Sequence, residues 1–460
     1  MTKTKDLGRA PLLPLVFSLA IPTMLAQFVS VLYSIVDRIF IGNIPEIGSI
    51  ALAGAGVCGP IVTLISSFAT LVGLGGSPLV AMKMGAGDKK TAHQLLANCF
   101  VLLAGLSVLL TALFLLFREP LLMWFGASQQ SFPYANTYLT IYTAGSFFAM
   151  MATGMNSFLI CQGYSGLSMG TVALGAVLNI ILDPIFIFVF DLGVAGAAWA
   201  TVLSQMASCV FVLAMLRRRS IPIRLERDQL SPALMRGVLS FGLTPFLTIS
   251  LDSVILILLN AVLQRQGGAL GDMLVSCNTI VQSYMLLITM PMGGITGGCQ
   301  PIASYNYGAG NTLRIRRGIR YVALLCLAFT GVMTLCTFTL SPLFVRLFTQ
   351  DGELAALAVR YIRRFCLCAI PLALQYTAVD MSTALGRIRL ALFCSVNRKA
   401  WFTVLIFVLP AALGAADAAF WAEPIVDLGC AILTSLLVYT TLPGFLRHRE
   451  VHAGGPQHPA

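Results

Sequence analysis

The sequence predicts an all-α polytopic membrane protein with about twelve transmembrane helices. These helices form two six-helix lobes related by a pseudo-two-fold axis along the membrane normal. Three observations lead to this fold class. Of the 460 residues, 58% are hydrophobic and only 10% are charged, whereas a soluble domain carries about a quarter of charged residues. Basic residues concentrate in alternate loops, and the two halves of the chain repeat each other at one constant offset.

The apolar residues lie in long runs, each sufficient for a membrane-spanning helix of about 20 residues. Helices are favoured over strands because the strands of a membrane barrel alternate polar and apolar residues. The first run is too long for the core of a signal peptide, so we expect it to be retained. In chain order the expected spans are 14–40, 51–80, 95–117, 132–160, 169–190, 194–216, 236–265, 274–302, 318–341, 355–385, 390–413 and 422–446.

The net charge of +11 follows the topology and does not indicate nucleic-acid binding. Basic residues cluster in every second loop, for example at 83–90, 217–227 and 314–320, and the intervening loops carry few. Loops rich in Lys and Arg stay on the cytoplasmic side, so both termini are predicted to be cytoplasmic. Arg360, Arg363 and Arg364 are exceptions, because this topology places them outside.

An internal repeat defines the two lobes. The segment GGSPLVAMKMGAGD (75–88) matches GCQPIASYNYGAGN (298–311), and the same offset of 223 residues relates Pro22 to Pro245. Each unit has six spans, so both units enter the membrane from the same side, as in transporters with parallel repeats. The expected parts are an N-terminal tail (1–13), an N-lobe (14–216), a linker (217–235), a C-lobe (236–446) and a C-terminal tail (447–460).

Several chemistries are excluded by the motifs. GAGDKK lacks the spacing of a phosphate-binding loop, and no HExxH or GxSxG sequence occurs. The twelve cysteines form no CxxC, and the four histidines lie in loops or the C-terminal tail. We therefore expect no enzymatic activity, no cofactor and no resident metal. Without an ATP-hydrolysing motif, the energy for transport must come from an ion gradient.

Two acidic residues interrupt the apolar spans of the N-lobe, Asp37 in the first span and Asp183 in the fifth. Asn179 precedes Asp183 by four positions, so both side chains share one helix face. Pro184 removes a backbone hydrogen bond and should kink this helix. Counted from the outer loops at ~1.5 Å per residue, Asp37, Asp183 and Thr201 all lie ~9–12 Å deep.

This arrangement suggests a cation site. Carboxylate, amide and hydroxyl oxygens on three helices would suit a hard cation such as Na⁺, and two adjacent carboxylates could also bind a proton as a coupled pair. Ionisable residues inside a membrane are functional candidates by default. Shifted by 223 positions, Asp37 falls on Asn260 and Asp183 on Ile406, so the oxygen cluster is expected in the N-lobe alone.

The C-lobe has acidic residues of its own. Asp252, near the middle of the seventh span, is a candidate for a second coupling or substrate site, or for a hydrogen-bonded core residue. Asp380 lies near the inner end of the tenth span, and we expect it to pair with Arg398 of the eleventh. Asp427 is interpreted as structural.

At these residues the sequence resembles the multidrug and toxic compound extrusion (MATE) family, in particular its bacterial MepA-like branch. The matching pieces are FSLAIPTML with Pro22, YSIVDRIFIG with Asp37, GLGGSPLVAMKMGAGD, and LGAVLNIILDPIFIF followed by GVAGAAWATVLSQ. The resemblance covers residues 10–446. It implies a MATE/MOP-type fold, with two lobes around a central cavity, in the bacterial plasma (inner) membrane.

The resemblance also implies a function. The family exports cationic lipophilic drugs by antiport of H⁺ or Na⁺ with alternating access, and Asp37, Asn179, Asp183 and Thr201 match its cation-binding positions. Pro22 falls where the first helix is thought to bend during coupling. We expect a monomer in the lipid bilayer with no nucleic-acid partner. The alternative is a lipid-linked saccharide flippase of the same superfamily, which would need arginines facing the cavity.

Overall fold

The computed structural model describes residues 6–125, 127–349 and 351–453. Regular secondary structure within these ranges is helical. The first five residues of the predicted N-terminal tail and residues 454–460 of the predicted C-terminal tail lie outside the described ranges. The protein is therefore all-α where it is described, as the sequence predicts.

Fifteen α-helices make up the described chain, joined by a π-helical turn at Ile185–Val189 and 3₁₀ turns at Gly268–Leu270 and Ala416–Trp421. The helices are α1 (Leu12–Gly42), α2 (Gly48–Gly85), α3 (Lys89–Leu116), α4 (Arg118–Trp124), α5 (Phe132–Ala144), α6 (Ser146–Ile160), α7 (Ser165–Pro184), α8 (Gly193–Leu216), α9 (Pro232–Gln266), α10 (Gly271–Gly308), α11 (Thr312–Val345), α12 (Gly352–Phe365), α13 (Ala369–Ala384), α14 (Ile388–Leu413) and α15 (Ala422–Ala453).

Ten segments of the described chain are helical, long and apolar enough to cross a membrane. The fourth and tenth predicted spans are instead broken, the fourth into α5 and α6 at Gly145 and the tenth into α12 and α13 at 366–368. Ten unbroken spans and two broken ones account for the twelve that the sequence predicts. The two breaks occupy equivalent positions in the two halves.

The repeat is visible in the helix boundaries. Helices α2 and α10 each have 38 residues, and their ends are separated by the same 223 positions. After each helix comes a turn with a left-handed glycine, Gly87 or Gly310, and an N-cap side chain. Asp88 accepts a hydrogen bond from Thr91 N (3.1 Å), and Asn311 accepts one from Arg314 N (3.2 Å). GAGD and GAGN are therefore helix-capping turns.

Glycines bring the two lobes into backbone contact on the side of the molecule that carries the linker, called here the linker side. A Cβ atom on Gly85 of α2 would lie 1.9 Å from the carbonyl oxygen of Tyr305, and one on Gly308 of α10 would lie 1.9 Å from that of Met82. Residues 82 and 305 are repeat equivalents, as are 85 and 308. The pseudo-two-fold axis therefore passes between these contacts.

The contact continues toward the middle of the membrane. Gly75 of α2 packs on the backbone of Val238 in α9, and Gly298 of α10 packs on Thr23 in α1. Farther along, the Ser250 hydroxyl lies 3.3 Å from that of Ser67. The first helix of each lobe thus packs against the second helix of the other lobe, and this interface closes the linker side.

The linker after α8 is fastened to the N-lobe through its backbone. Gln162, which is 3% exposed, donates to the carbonyl of Ile223 (3.0 Å) and accepts from the amide of the same residue (2.8 Å). Asn98 makes the same kind of pair with the Gln229 carbonyl and the Ser231 amide. Two buried amide side chains therefore hold an extended segment that is itself neither a helix nor a strand.

We expect Gln162→Ala to loosen the linker without unfolding the lobe. The change removes two hydrogen bonds of about 1 kcal/mol each, so the released segment should be populated roughly 30-fold more. Trypsin cleavage of solubilised protein after Arg224, which lies in the fastened segment and is half-buried, measures this release. Gln229→Ala is the matched control, because the described hydrogen bonds of Gln229 use its backbone. Equal cleavage rates in both variants would contradict the proposed fastening.

Candidate functional site

An oxygen-rich cluster lies in the N-lobe where α1, α7 and α8 meet. Asn179 and Asp183 are one turn apart on α7, and Asn179 Nδ2 donates to Asp183 Oδ1 (3.0 Å). The same amide donates to Thr201 Oγ1 of α8 (3.5 Å). Asn179 and Asp183 are almost completely buried, at 2% and 0% exposure.

Asp37 completes this cluster from α1. Helix α1 packs along α7, and the half-buried Asp37 carboxyl contacts the carboxyl of Asp183. Arg38 is exposed, and no ion pair joins it to Asp37 in the described part of the chain. The structure thus brings together all four predicted residues, Asp37, Asn179, Asp183 and Thr201.

Three oxygens of the cluster accept no hydrogen bond from the described residues. They are Asp37 Oδ1, Asn179 Oδ1 and Asp183 Oδ2, and all three are buried. Buried acceptors without donors are costly and rare in folded proteins. The cluster has an excess of oxygens and of negative charge, which fits a bound Na⁺ ion or a proton.

Local sequence explains how α7 and α8 meet at this point. Pro184 has no N–H group, so α7 ends there and the chain continues as the π-helical turn Ile185–Val189. Gly196 of α8 sits against this turn, where a Cβ atom would lie 2.6 Å from the Phe186 carbonyl. The close approach brings Thr201, five residues farther along, to the side chain of Asn179.

Two tyrosines that were not predicted from the sequence lie at the edge of the cluster. The Tyr138 hydroxyl of α5 contacts Thr201, and Tyr33 of α1 lies close to both carboxyls. Tyr138 could nevertheless have been found from the sequence. The depth count applied to the other spans would have found it, because Tyr138 is six residues from the outer start of its span.

A cavity of about 540 Å³ opens on the side opposite the linker side, among the loops that precede α2 and α8 and the start of α5. Glu46 and Asp191 line it, and they are the two non-glycine residues of the described chain with positive φ. Two acidic residues at this position make the cavity electrostatically attractive to cations.

Pro22 lies at the junction between the lobes. Helix α1 continues through Pro22 without a break. The next residue, Thr23, turns its hydroxyl to the carbonyl of Leu19 (2.8 Å) and packs against Gly298 of α10. A bend at Pro22 would therefore change the lobe contact directly.

The C-lobe acids pair differently from the prediction. Arg398 of α14 donates to Asp427 of α15 at 2.8 and 3.1 Å, and it also contacts Glu423. Asp380 contacts Thr296 of α10 instead, so the predicted pair between Asp380 and Arg398 is wrong. The reason is depth, because Asp380 lies four residues from its helix end and Arg398 lies ten, a mismatch of ~9 Å.

Asp252 of α9, the candidate for a second site, contacts Lys399 of α14. The Asp252 side chain is 54% exposed, and that of Lys399 is 11% exposed. This acid is therefore neutralised by a neighbouring ammonium group, unlike the carboxyls of the N-lobe cluster.

Comparisons with known proteins agree with this architecture. Multidrug export protein MepA of Staphylococcus haemolyticus is 24% identical over 424 residues, which cover 92% of each chain. MepA of Staphylococcus aureus strain MSSA476 is 24% identical over 436 residues, or 94% of each chain. Both relatives match along almost their whole length.

Two solved structures share the fold. One is an outward-facing multidrug resistance MATE family transporter of the MOP superfamily, with a TM-score of 0.89 and 22% identity over 97% of this chain and 99% of that one. The other is a MOP superfamily transporter from Pyrococcus furiosus, with a TM-score of 0.90 and 24% identity over 97% and 99% of the chains. The MatE family profile matches residues 22–185 and again 249–412, once in each half. With most of its length matched in this way, the chain belongs to the MatE family.

Proposed function

We propose that this protein is a secondary active multidrug exporter that exchanges cationic lipophilic compounds for H⁺ or Na⁺. The observation that carries this proposal is the set of three buried oxygens, on Asp37, Asn179 and Asp183, that accept no hydrogen bond within the described part of the chain. The relatives named as multidrug export proteins support drug export as the activity.

The coupling cation enters from the side opposite the linker. Glu46 and Asp191 attract it into the cavity there, and the two carboxyls of the cluster bind it. Binding neutralises charge that is otherwise buried, so the loaded cluster is more stable and α1 can pack more closely on α7. This side is the outer one in the topology predicted from the basic loops.

Helix α1 connects ion binding to the movement of the lobes. Its outer half carries Asp37, and its inner half, at Thr23, packs on Gly298 of the other lobe. A change in α1 at the cluster therefore reaches the interface that closes the linker side. Ion and drug need not touch, because each has only to favour a different conformation.

The flippase alternative is not favoured. Cargo with phosphate groups would need cationic side chains free to bind it. In the C-lobe, Arg398 is 8% exposed and engaged by two carboxylates, and Lys399 contacts Asp252. Neither cation is available to an anionic cargo.

Drug uptake into inverted membrane vesicles tests the proposal. A Na⁺ gradient and a proton gradient are imposed separately, and accumulation of a fluorescent lipophilic cation is measured. We expect one of the two gradients to drive accumulation above that of vesicles lacking the protein. Uptake that responds to neither gradient in well-expressed protein would overturn the proposal.

Pro22→Ala is expected to slow transport about tenfold, which corresponds to about 1.4 kcal/mol in the barrier. Alanine restores the backbone N–H that proline lacks and so opposes a bend in α1. Initial uptake rates in vesicles measure this effect. Pro245→Ala, the repeat equivalent in α9, is the matched control, because the repeat equivalents of Asp37 and Asp183 are Asn260 and Ile406. Equal slowing by both variants would contradict a special role of Pro22.

A further inference from the structure

A second buried charge cluster, called here the C-lobe triad, consists of Arg398, Glu423 and Asp427. Their exposures are 8%, 7% and 0%. Arg398 donates through Nε and one terminal nitrogen to Asp427 Oδ1, at 3.1 and 2.8 Å. The same terminal nitrogen contacts Glu423 Oε1. Both carboxylates therefore crowd around one nitrogen of a single guanidinium group.

The charges of the triad do not balance. One guanidinium faces two carboxylates, which leaves one negative charge in a site that water barely reaches. An uncompensated buried charge is strongly destabilising. The second oxygen of Asp427, Oδ2, is also buried and accepts no hydrogen bond from the described residues. The site therefore needs one more positive charge and one more hydrogen-bond donor.

The surrounding groups do not supply that charge. The titratable groups near Asp427 on the neighbouring elements are Cys366, Cys368, Tyr376, Lys399 and Cys430. Lys399 is the cation among them, and its ammonium group contacts Asp252. Farther out, Arg364 is paired with Asp417 of the 3₁₀ turn at 3.0 Å. Each neighbouring cation thus already has an acidic partner of its own.

We propose that Glu423 and Asp427 bind one proton between them, forming a protonation site in the C-lobe. The proton comes from water, becomes an O–H on one carboxyl group and brings the triad to zero net charge. Asp427 Oδ2 is the oxygen that gains the missing hydrogen-bond partner. Lys399 follows Arg398 on α14, so the charge of the triad also acts on the pair between Lys399 and Asp252.

Infrared spectroscopy of the purified full chain in lipid nanodiscs tests the proposal without drug or ion gradient. Wild type should show a carboxylic-acid band at neutral pH that belongs to the triad. Asp427→Asn should remove this band, because asparagine keeps the shape and carries no proton to exchange. Glu423→Gln makes the same charge change at the partner residue and provides an independent variant.

Two further variants test whether the carboxylic-acid band belongs to the triad. Asp417→Asn, at the partly buried pair with Arg364, is the matched control and should leave the band in place. Asp37→Asn should also leave it, which separates this site from the N-lobe cluster. Potentiometric titration should find one fewer bound proton in Asp427→Asn than in wild type. A band unchanged by both Asp427→Asn and Glu423→Gln would overturn the proposal, whatever the outcome for ion-driven transport.

Discussion

Asp37→Asn and Asp183→Asn are each expected to lower ion-driven drug export at least a hundredfold. Each variant keeps the size of the side chain and removes one of the two carboxylates that meet between α1 and α7. With the coupling cation bound, each carboxylate is one partner of a buried ion pair, and losing one partner of such a pair costs about 3–5 kcal/mol. About 2.7 kcal/mol already corresponds to a hundredfold change in affinity. Drug uptake under the driving gradient, in vesicles with matched protein amounts, measures the loss.

The two variants should differ from wild type in coupling and not in folding. Drug binding without a gradient, measured by fluorescence anisotropy, should change less than tenfold, because the proposed mechanism does not require the drug to touch this cluster. Asp228→Asn, an exposed acid in the linker, is the control for a change of one charge. Gradient-driven export at the wild-type rate in either cluster variant would refute the coupling role.

The cluster could be predicted because helices convert sequence position into depth. Asp37, Asp183 and Thr201 were assigned to one level by counting residues from the outer loops, and the structure brings them into one cluster. The C-lobe triad could not be predicted by such a count, because the count needs a correct start of the span. Glu423 and Asp427 follow the 3₁₀ turn Ala416–Trp421, and the predicted span that starts at residue 422 gave no sign of that turn.

The breaks in two of the spans could not be predicted from the sequence. Residues 132–160 and 355–385 are apolar enough to predict one helix each, yet both are divided. At Gly145 a Cβ atom would lie 2.4 Å from Val202 of α8, so the first break is fixed by packing against another helix. The second break lies at residues 366–368, whose sequence is Cys-Leu-Cys. Because it contains neither glycine nor proline, the sequence there does not indicate a break.

The contact between the two lobes could not be predicted from the sequence repeat either. Of the glycines in the repeated GAG sequences, Gly87 and Gly310 belong to turns. Gly85 and Gly308, two residues earlier, have ordinary helical conformations, and what they allow is close approach between helices. Only the structure reveals that the partner of each glycine lies in the other lobe.

Gly85→Ala and Gly308→Ala are expected to shift the protein strongly toward a conformation open on the linker side. The added Cβ atom would lie 1.9 Å from a backbone carbonyl oxygen of the other lobe. Side chains can rotate away from such a clash, but two helix backbones can relieve it only by moving apart. Overpacking of this kind costs about 1–3 kcal/mol or more, so the open population should rise at least about fivefold.

A native thiol reports this opening. Cys299 of α10 is fully buried at the lobe interface, where its Sγ lies 3.8 Å from the Val16 carbonyl of α1. Maleimide labelling of Cys299, followed by peptide mass spectrometry, should be at least about fivefold faster in either variant than in wild type. Gly297→Ala is the matched control on the same helix, because a Cβ there meets nothing within 4 Å.

The pseudo-two-fold axis makes this prediction stricter. Gly85 and Gly308 are repeat equivalents that contact the repeat equivalents Tyr305 and Met82, so one alanine should separate the lobes about as much as the other. Drug export should fall in both variants, because the return to the conformation closed on the linker side becomes unfavourable. Wild-type labelling of Cys299 in both folded variants would mean that these contacts do not hold the linker side closed. Faster labelling in one variant alone would mean that the two halves of the interface do not act as equivalents.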